Sequence, residues 1–376
     1  MKAYLFIFPH LKLQLMASFA DYLTQGSKVF LSSFKTRISP KKYEGTAEQI
    51  CEQIVRDCWN GRYFQTSRQN FPGFWTRDFG WCAQALLKHD YKTEIDQTLR
   101  YALNRFKESG KITATISPEG KPFDFPAEAA DSLPWLIHAI KISKFHYLPY
   151  QQFLNKEIRR FFKEIIEEQT GLVTPKKQFS SMKDFAVRKS SCYDNSMAGL
   201  LAKDLAGMKL INPLAEFNYS DLLKRHFWSG EFFFDDLRKK NYVAGDANLF
   251  PFILGLIKDK EMMESAIRKI QENELDLPFP LKYTKTADGV KFIWQEKLAM
   301  KDYESNAVWT HMGPFFIKLV KHFDKEKAKE YKQAYTEMIE KYQGYPEVLN
   351  SSGKPFQTWF YYCDRSMLWA VNYLDI

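Results

Sequence analysis

Residues 131–168 read DSLPWLIHAIKISKFHYLPYQQFLNKEIRRFFKEIIEE, and this stretch decides the fold. Residues 131–144 are apolar on nearly every side of a helix, whereas residues 152–168 are rich in Lys, Glu and Arg. A helix that is apolar all round is buried on most sides, and an amphipathic helix faces solvent on one side. The stretch therefore predicts a helical hairpin with one buried and one peripheral helix.

The same alternation continues along the chain from residue 46 to the C-terminus. Thr46 and Gln49 form a capping box that predicts the start of the first helix. The predicted polar helices are 47–59, 92–108, 152–168, 213–227, 260–273 and 325–343. The predicted apolar helices are 78–89, 131–144, 194–207, 246–258, 305–322 and 364–374. Six such pairs predict an all-α (α/α)6 barrel, in which six hairpins form two concentric rings. The alternative is an open helical solenoid, which would show one repeated consensus, and we find none.

The barrel prediction divides the chain into an N-terminal extension or cap, residues 1–45, and an (α/α)6-barrel domain, residues 46–376. The extension contains an apolar run, residues 3–8, that Pro9 and Lys12 interrupt. This run is short for a signal peptide and for a membrane span. Two segments outside the helices, residues 111–116 and 291–294, have the pattern of short strands.

Composition limits the class of protein. The formal charge is +9, but the 54 basic residues are scattered among 45 acidic ones, which argues against a nucleic-acid surface. The five cysteines form no CxxC pair and no histidine pair has ligand spacing, so we expect reduced thiols, a cytoplasmic location and neither metal nor cofactor. Aromatic residues make up 16% of the chain, which serves a core and also provides rings for stacking on sugars.

Each predicted apolar helix begins at a cluster of polar and aromatic residues. The six clusters are residues 74–81, 130–135, 193–196, 245–248, 304–311 and 363–366. Because all lie at the start of inner-ring helices, we expect them to converge at one end of the barrel. The aspartates among them are also good N-cap residues, an alternative that leaves the neighbouring Trp, Arg and His unexplained. Carboxylates, aromatic rings and arginine together favour a carbohydrate site.

The clusters resemble those of the six-hairpin glycosidases, in particular the neutral/alkaline invertases and the glucosidase domain of glycogen debranching enzyme. Asp131 to Ile137 resembles the segment that carries the general acid of these enzymes. Tyr345 to Asn350, followed by Gly353 and a closing helix, resembles the segment that carries the general base. Val308 to Pro314 and Phe74 to Asp78 resemble two stretches that line their pocket. The chain departs from the invertases at Pro134 and in its shorter length, which affects the substrate more than the chemistry.

The resemblance implies that Asp131 is the general acid and Glu347 the general base of an inverting hydrolase of an α-glucoside or sucrose-like saccharide. An inverting pair of carboxyls sits roughly 6.5–9.5 Å apart, and the apolar neighbours of Asp131, with Glu128, are expected to raise its pKa. We expect substrate contacts from nine further residues: Trp75, Arg77, Asp78, Trp135, Asp194, Asn195, Asp246, Trp309 and His311. Trp294 is a further candidate platform for stacking.

Two other functions remain open on the same barrel. A sugar epimerase or lyase would use His311 or a tyrosine as its base. A non-catalytic carbohydrate-binding protein would keep the aromatic residues and tolerate the loss of both acids. The sequence leaves the sugar, the linkage and the oligomeric state undetermined.

Overall fold

A computed structural model describes residue 27, residues 31–292 and residues 300–376 of the chain. Between residues 47 and 376, twelve α-helices lie wholly within this described part. The six peripheral helices are α1 (Ala47–Cys58), α3 (Lys92–Ser109), α5 (Gln151–Ile165), α7 (Tyr219–Phe227), α9 (Lys260–Glu272) and α11 (Lys325–Tyr342). The six inner helices are α2 (Thr76–Lys88), α4 (Ser132–Ile142), α6 (Cys192–Leu205), α8 (Gly245–Ile253), α10 (Gly313–Val320) and α12 (Ala370–Tyr373).

The inner helices form a closed ring. Helix α2 contacts α4, and the contacts continue through α6, α8, α10 and α12 back to α2. Each inner helix also packs on peripheral neighbours, as α4 does on α5 and α10 on α11. A solenoid has no contact between its first and last repeats, so the closed ring confirms the predicted (α/α)6 barrel.

Close approach between helices tightens the inner ring at Gly80. A Cβ atom at this position in α2 would lie 2.6 Å from Cβ of Trp135 in α4. Only glycine allows the two backbones to come so close without displacing one helix. The predicted capping box is present at the start of α1, where Thr46 and Gln49 satisfy each other's backbone N–H groups.

Two predicted inner helices begin later than the apolar pattern indicates. Helix α10 begins at Gly313 rather than near residue 305, and α12 begins at Ala370 rather than near residue 364. Before α10, Val308–Trp309 form strand β4, which pairs antiparallel with strand β5 (Val348–Leu349). Residues 364–369 before α12 form a bend, isolated bridges and a turn. The long predicted helix was wrong near Val308 because apolar residues also pack well in a short buried strand. The shift is important because it places residues 304–311 in a loop at the end of the barrel.

A second small sheet joins loops of the first two hairpins. Strands β1 (Phe74–Trp75), β2 (Thr115–Ile116) and β3 (Pro122–Phe123) pair antiparallel in that order. The predicted strand at 111–116 is therefore present only as its last two residues. Half of the segment predicted at 291–294, including Trp294, lies outside the described residues, and Phe292 in the described half forms an isolated antiparallel bridge with Ala186.

Residues 31–38 of the N-terminal extension are helical and contact the loops at the barrel end. Ser33 Oγ donates to the carbonyl of Tyr362 (3.1 Å), and Thr36 Oγ1 donates to Oδ1 of Asn70 (2.8 Å). Residues 1–26 and 28–30 lie outside the described part, so the cap stays a prediction. All five cysteines are buried and unpaired, as expected. Within the described residues, no helix has the length and apolar character needed to cross a membrane.

Candidate active site

A cavity of about 350 Å³ opens at the end of the barrel where the inner helices begin. Four tryptophans form much of its wall. Its charged residues and histidine are Arg77, Asp78, Asp184, Glu304, Glu347 and His311, and three tyrosines, Tyr283, Tyr303 and Tyr361, also line it. Its tryptophans are Trp75, Trp81, Trp309 and Trp369. Four carboxyl groups with aromatic rings and one arginine can bind a sugar and transfer protons to and from it.

Glu347 lies in the loop between α11 and α12, directly before β5, and lines this cavity. Pairing of β5 with β4 fixes its backbone, and its N–H donates to the carbonyl of Asp364 (2.9 Å). The hydroxyl of Tyr303 donates to its Oε1 (2.9 Å), and that of Tyr361 donates to its Oε2. Burial raises the pKa of Glu347 to about 7, although the two tyrosine hydroxyls favour its charged form. The group can therefore exchange a proton near neutral pH.

Asp131 does not line the cavity, and its side chain is fully buried at the start of α4. Its Oδ2 lies 3.0 Å from Nε of Arg77 and accepts a hydrogen bond from the Tyr193 hydroxyl (2.9 Å). Burial raises its pKa, as expected, while Arg77 opposes that rise. Glu128, which was expected to contribute, is not among the main causes of the raised pKa of Asp131; its carboxylate pairs with Lys111 and Lys177. The structure thus separates Asp131 from Glu347: only Glu347 reaches the cavity.

The wall contributed by α2 and β4 holds most of the predicted substrate contacts. Trp75, Arg77, Asp78, Trp309 and His311 all line the cavity. Asp78 accepts a hydrogen bond from Nε1 of Trp369 (3.0 Å), and burial raises its pKa to about 6.

His311 stacks face to face on the indole of Trp81 at 4.2 Å between ring centroids. Burial lowers the pKa of His311 well below its ordinary value, so the imidazole is neutral. Its Nε2 lies 3.3 Å from Sδ of Met182, and its buried Nδ1 has no partner in the described part of the chain.

A further part of the wall is a loop, residues 180–188, that leads into α6 and contacts Arg77 and His311 through Ser180 and Met182. Asp184 in this loop lines the cavity and is partly exposed. Glu304 faces it from the loop before β4 and accepts backbone hydrogen bonds from Asp184, Phe185 (2.9 Å) and Ala186 (2.9 Å). Burial raises the pKa of Asp184, and the pKa of Glu304 rises through burial and the charge of Asp184.

The remaining predicted contacts lie beneath this loop and outside the cavity lining. Asp246 pairs with the buried Lys183 (2.9 Å) and with Arg188 (2.9 Å), so it anchors the loop. Asp194 binds the hydroxyl of Ser191 (2.7 Å), and burial raises its pKa to about 6. Asn195 accepts the N–H of Val173 (2.9 Å) in a structural contact.

Trp135, also predicted as a contact, lies farther from the cavity. It donates to the Tyr193 hydroxyl (3.0 Å) and lines a second cavity, of about 270 Å³, towards the other end of the inner helices. The six sequence clusters therefore meet at one end of the barrel, but the second, third and fourth contribute mainly to its packing.

Sequence reasoning missed Asp184, Tyr303 and Tyr361 and assigned no role to Glu304. Asp184 stands in a loop whose sequence, SSMKDFAVRKSS, has no helical or strand period that would distinguish it from a connection. A signal was available in its charge, because Lys183, Asp184 and Arg188 precede an inner helix and must find partners if they are buried.

Among the described residues, no group of three or more His, Cys, Asp or Glu side chains is arranged to hold a metal ion.

Comparison of the sequence found no matching family model and no matching curated protein. Comparison of the structure found glycosidases. A rhamnosidase from Klebsiella oxytoca with rhamnose bound has a TM-score of 0.61 at 8% identity, over 89% of this chain and 65% of that one. This chain thus spans less than two thirds of the rhamnosidase.

Two smaller neighbours are covered almost completely. A wild-type glycosidase has a TM-score of 0.59 at 9% identity, over 87% of this chain and 93% of that one. The GH63 mannosylglycerate hydrolase from Thermus thermophilus, in complex with Tris and D-glycerate, has a TM-score of 0.58 at 10% identity, over 87% of this chain and 98% of that one. At these identities the comparison shows the fold alone: the chain shares the (α/α)6 toroid of these glycosidases, as the sequence clusters predicted.

Proposed function

We propose that this protein is a glycoside hydrolase that cleaves a small saccharide by general acid/base catalysis, with Glu347 as base and Asp184 as acid. One observation carries the proposal: four carboxyl groups whose pKa values are raised by burial, Glu347 and Asp184 among them, line the same cavity as four tryptophans. The function agrees with the resemblance of the sequence clusters and with the activities of the structural neighbours. The proposed acid, Asp184, is not Asp131, the residue to which the resemblance gives this role.

Asp184 suits the acid because an acid must be protonated at working pH and must reach the leaving oxygen. It is the partly exposed carboxyl of the loop wall. Asp131 has a cation as its partner and no exposure, and Glu304 already accepts three backbone N–H groups. Asp194 is the third candidate, since its Oδ1 is buried and has no hydrogen-bond partner within the described part of the chain, but a sugar would reach it only if the 180–188 loop moved.

Glu347 suits the base because two tyrosine hydroxyls orient it without supplying a positive charge. Ionised, it would accept a proton from a water held in the cavity. That role implies inversion of the anomeric centre, since a water must fit between the base and the sugar.

The cavity also limits the substrate. Its volume of about 350 Å³ is near the lower end of the range for small-molecule sites, about 300–1,000 Å³, which favours one sugar residue over a polymer chain. Trp309 and Trp75 offer ring faces, while Arg77 offers donors for hydroxyl groups. The sequence resemblance favours an α-glucoside or sucrose. The neighbours add rhamnosides and mannosylglycerate to the substrates worth testing.

The test is release of free sugar from a panel of these glycosides by wild-type protein and by amide variants of the candidate carboxyls. Glu347→Gln and Asp184→Asn should each lower kcat about 10²–10⁴-fold, the usual contribution of general acid/base catalysis. NMR of the first product should show inverted anomeric configuration. Asp131→Asn and Asp194→Asn are the matched comparisons: a loss confined to either would reassign the acid. Full activity in Glu347→Gln would refute the proposal.

The epimerase or lyase alternative depends on His311. The lowered pKa of this imidazole makes it a weak base, and its stacking on Trp81 suits a rigid wall better than proton transfer. We therefore expect His311→Gln to raise KM more than it lowers kcat. Sugar binding by calorimetry without any turnover, unchanged in Glu347→Gln, would instead support a non-catalytic binding protein.

A further inference from the structure

We infer that Glu304 is a positioning residue: its carboxylate binds three successive backbone N–H groups of the loop that carries Asp184 and sets a negative charge beside that side chain. The inference rests on the proposed role of Asp184 and adds how the loop and its proton are held. The sequence clusters did not suggest this role. Glu304 is the first residue of the fifth cluster, but the resemblance in that region begins only at Val308.

The geometry of the contact is that of an anion site. Both oxygens of Glu304 accept the N–H of Phe185, at 3.1 and 2.9 Å. Oε1 also accepts the N–H of Asp184, and Oε2 accepts that of Ala186 at 2.9 Å. Three consecutive amides turned towards one carboxylate fix the direction of the backbone, and therefore where the Asp184 side chain begins.

The loop is anchored a second time on its other side. Lys183 pairs with Asp235 (3.3 Å) and Asp246 (2.9 Å), and Arg188 pairs with Asp246 (2.9 Å). Lys183 is fully buried. Because the residues flanking Asp184 are tied to the barrel by ion pairs, the backbone bonds to Glu304 decide the orientation of the short segment between them.

The charge of Glu304 follows from the same bonds. Backbone N–H donors favour the charged form of a carboxyl group, and two neighbouring buried carboxyls resist being ionised together. Three amides bind Glu304, while no amide bond to the Asp184 carboxyl is observed in the described residues. The three amides therefore stabilise the ionised form of Glu304, and an ionised Glu304 favours the protonated form of Asp184, which is the state that a general acid needs.

Other charges also face Asp184 and modulate this balance. Asp78 and Asp131 raise its pKa, whereas Arg77 and Arg188 lower it. The two arginines already have carboxylate partners of their own, Asp131 for Arg77 and Asp246 for Arg188. Glu304 remains the negative group that the loop itself binds.

The experiment is a carboxyl titration of full-length protein by ¹³C NMR, with Asp184→Asn identifying the Asp184 signal. In Glu304→Gln, the pKa of Asp184 should fall by about one unit or more relative to wild type, because a buried negative neighbour is lost. Glu304→Asp keeps the charge and should restore most of the raised pKa. Hydrogen exchange at the amides of Phe185 and Ala186 should accelerate in Glu304→Gln.

Glu157→Gln is the matched control. Glu157 is a fully buried glutamate that accepts the N–H of Ile112 (2.8 Å) and pairs with Arg160, away from the cavity. Its loss should leave the Asp184 titration unchanged. An unchanged or higher Asp184 pKa in Glu304→Gln would overturn the inference. Since the titration needs no substrate, it can succeed even if no glycoside is cleaved, which separates this inference from the proposed function.

Discussion

The surroundings of Asp131 and of Glu347 form two buried carboxylate sites at the same end of one barrel. Asp131 has a cation, Arg77, at 3.0 Å, and Tyr193 as a hydroxyl donor. Glu347 has two tyrosine hydroxyls and no cation at salt-bridge distance in the described residues. A buried ion pair holds its members in the charged state and in place, whereas neutral donors orient a carboxyl and leave its proton exchangeable. The neutral donors around Glu347 therefore suit a catalytic group, and the ion pair of Asp131 suits a structural one.

The largest expected effect of this difference is on stability. Asp131→Asn removes the carboxylate that lies 3.0 Å from the largely buried Arg77 guanidinium, and removing one partner of a buried pair costs about 3–5 kcal/mol. Glu347→Gln strands no cation and should cost less than about 1.5 kcal/mol, the net value of a hydrogen bond. Urea unfolding of both variants measures the difference in their free energies of unfolding. Equal losses of stability would show that the ion pair of Asp131 contributes no more than the hydroxyl donors of Glu347.

A somewhat smaller effect concerns pH. The folded-state pKa of Glu347, about 7, lies above the ordinary value of 4.5. The folded protein therefore binds the proton more tightly, and Glu347 should make stability fall as pH rises from about 4.5 to about 7. The gap between those values corresponds to about 3 kcal/mol. Comparing wild type with Glu347→Gln across this range isolates the contribution of Glu347: the variant should lose that decline, and parallel curves would contradict the raised pKa.

The sequence predicted the barrel well because its signal is repeated. The apolar faces of α2, α4 and α6 recur with helical period, and each is followed by a polar partner. Burial of these faces determines how the helices pack into the ring, regardless of the conformation of the loops. Helix starts were less predictable near Val308, where β-branched and aromatic residues fit a short strand as well as a helix.

The candidate site was only partly predictable, and the reason is physical. Glu347 and Arg77 stand beside strands and helix starts, so fold and motif together indicate where they lie. Asp184 and Glu304 come together across more than a hundred residues through backbone amides, which carry no sequence signature. Asp131 and Asp246 stand at motif positions that predict a role in the site. Both instead form ion pairs with residues distant in sequence, Arg77 and Lys183.

The smallest expected effect tests the neutral donors of Glu347 directly. Tyr361→Phe removes a hydroxyl that favours the charged carboxylate, so the pKa of Glu347 should rise, by about half a unit to one unit for a hydrogen bond of about 1 kcal/mol. If Glu347 is the base, the acidic limb of the kcat/KM profile moves to higher pH by that amount. Tyr345→Phe is the control, since its buried hydroxyl donates to the Thr310 carbonyl (3.0 Å) and not to Glu347. Tyr345→Phe should lower the free energy of unfolding by a similar amount and leave the acidic limb of the kcat/KM profile at the same pH. A limb that stays in place in Tyr361→Phe, or moves to lower pH, would mean that a group other than Glu347 controls the rise in activity.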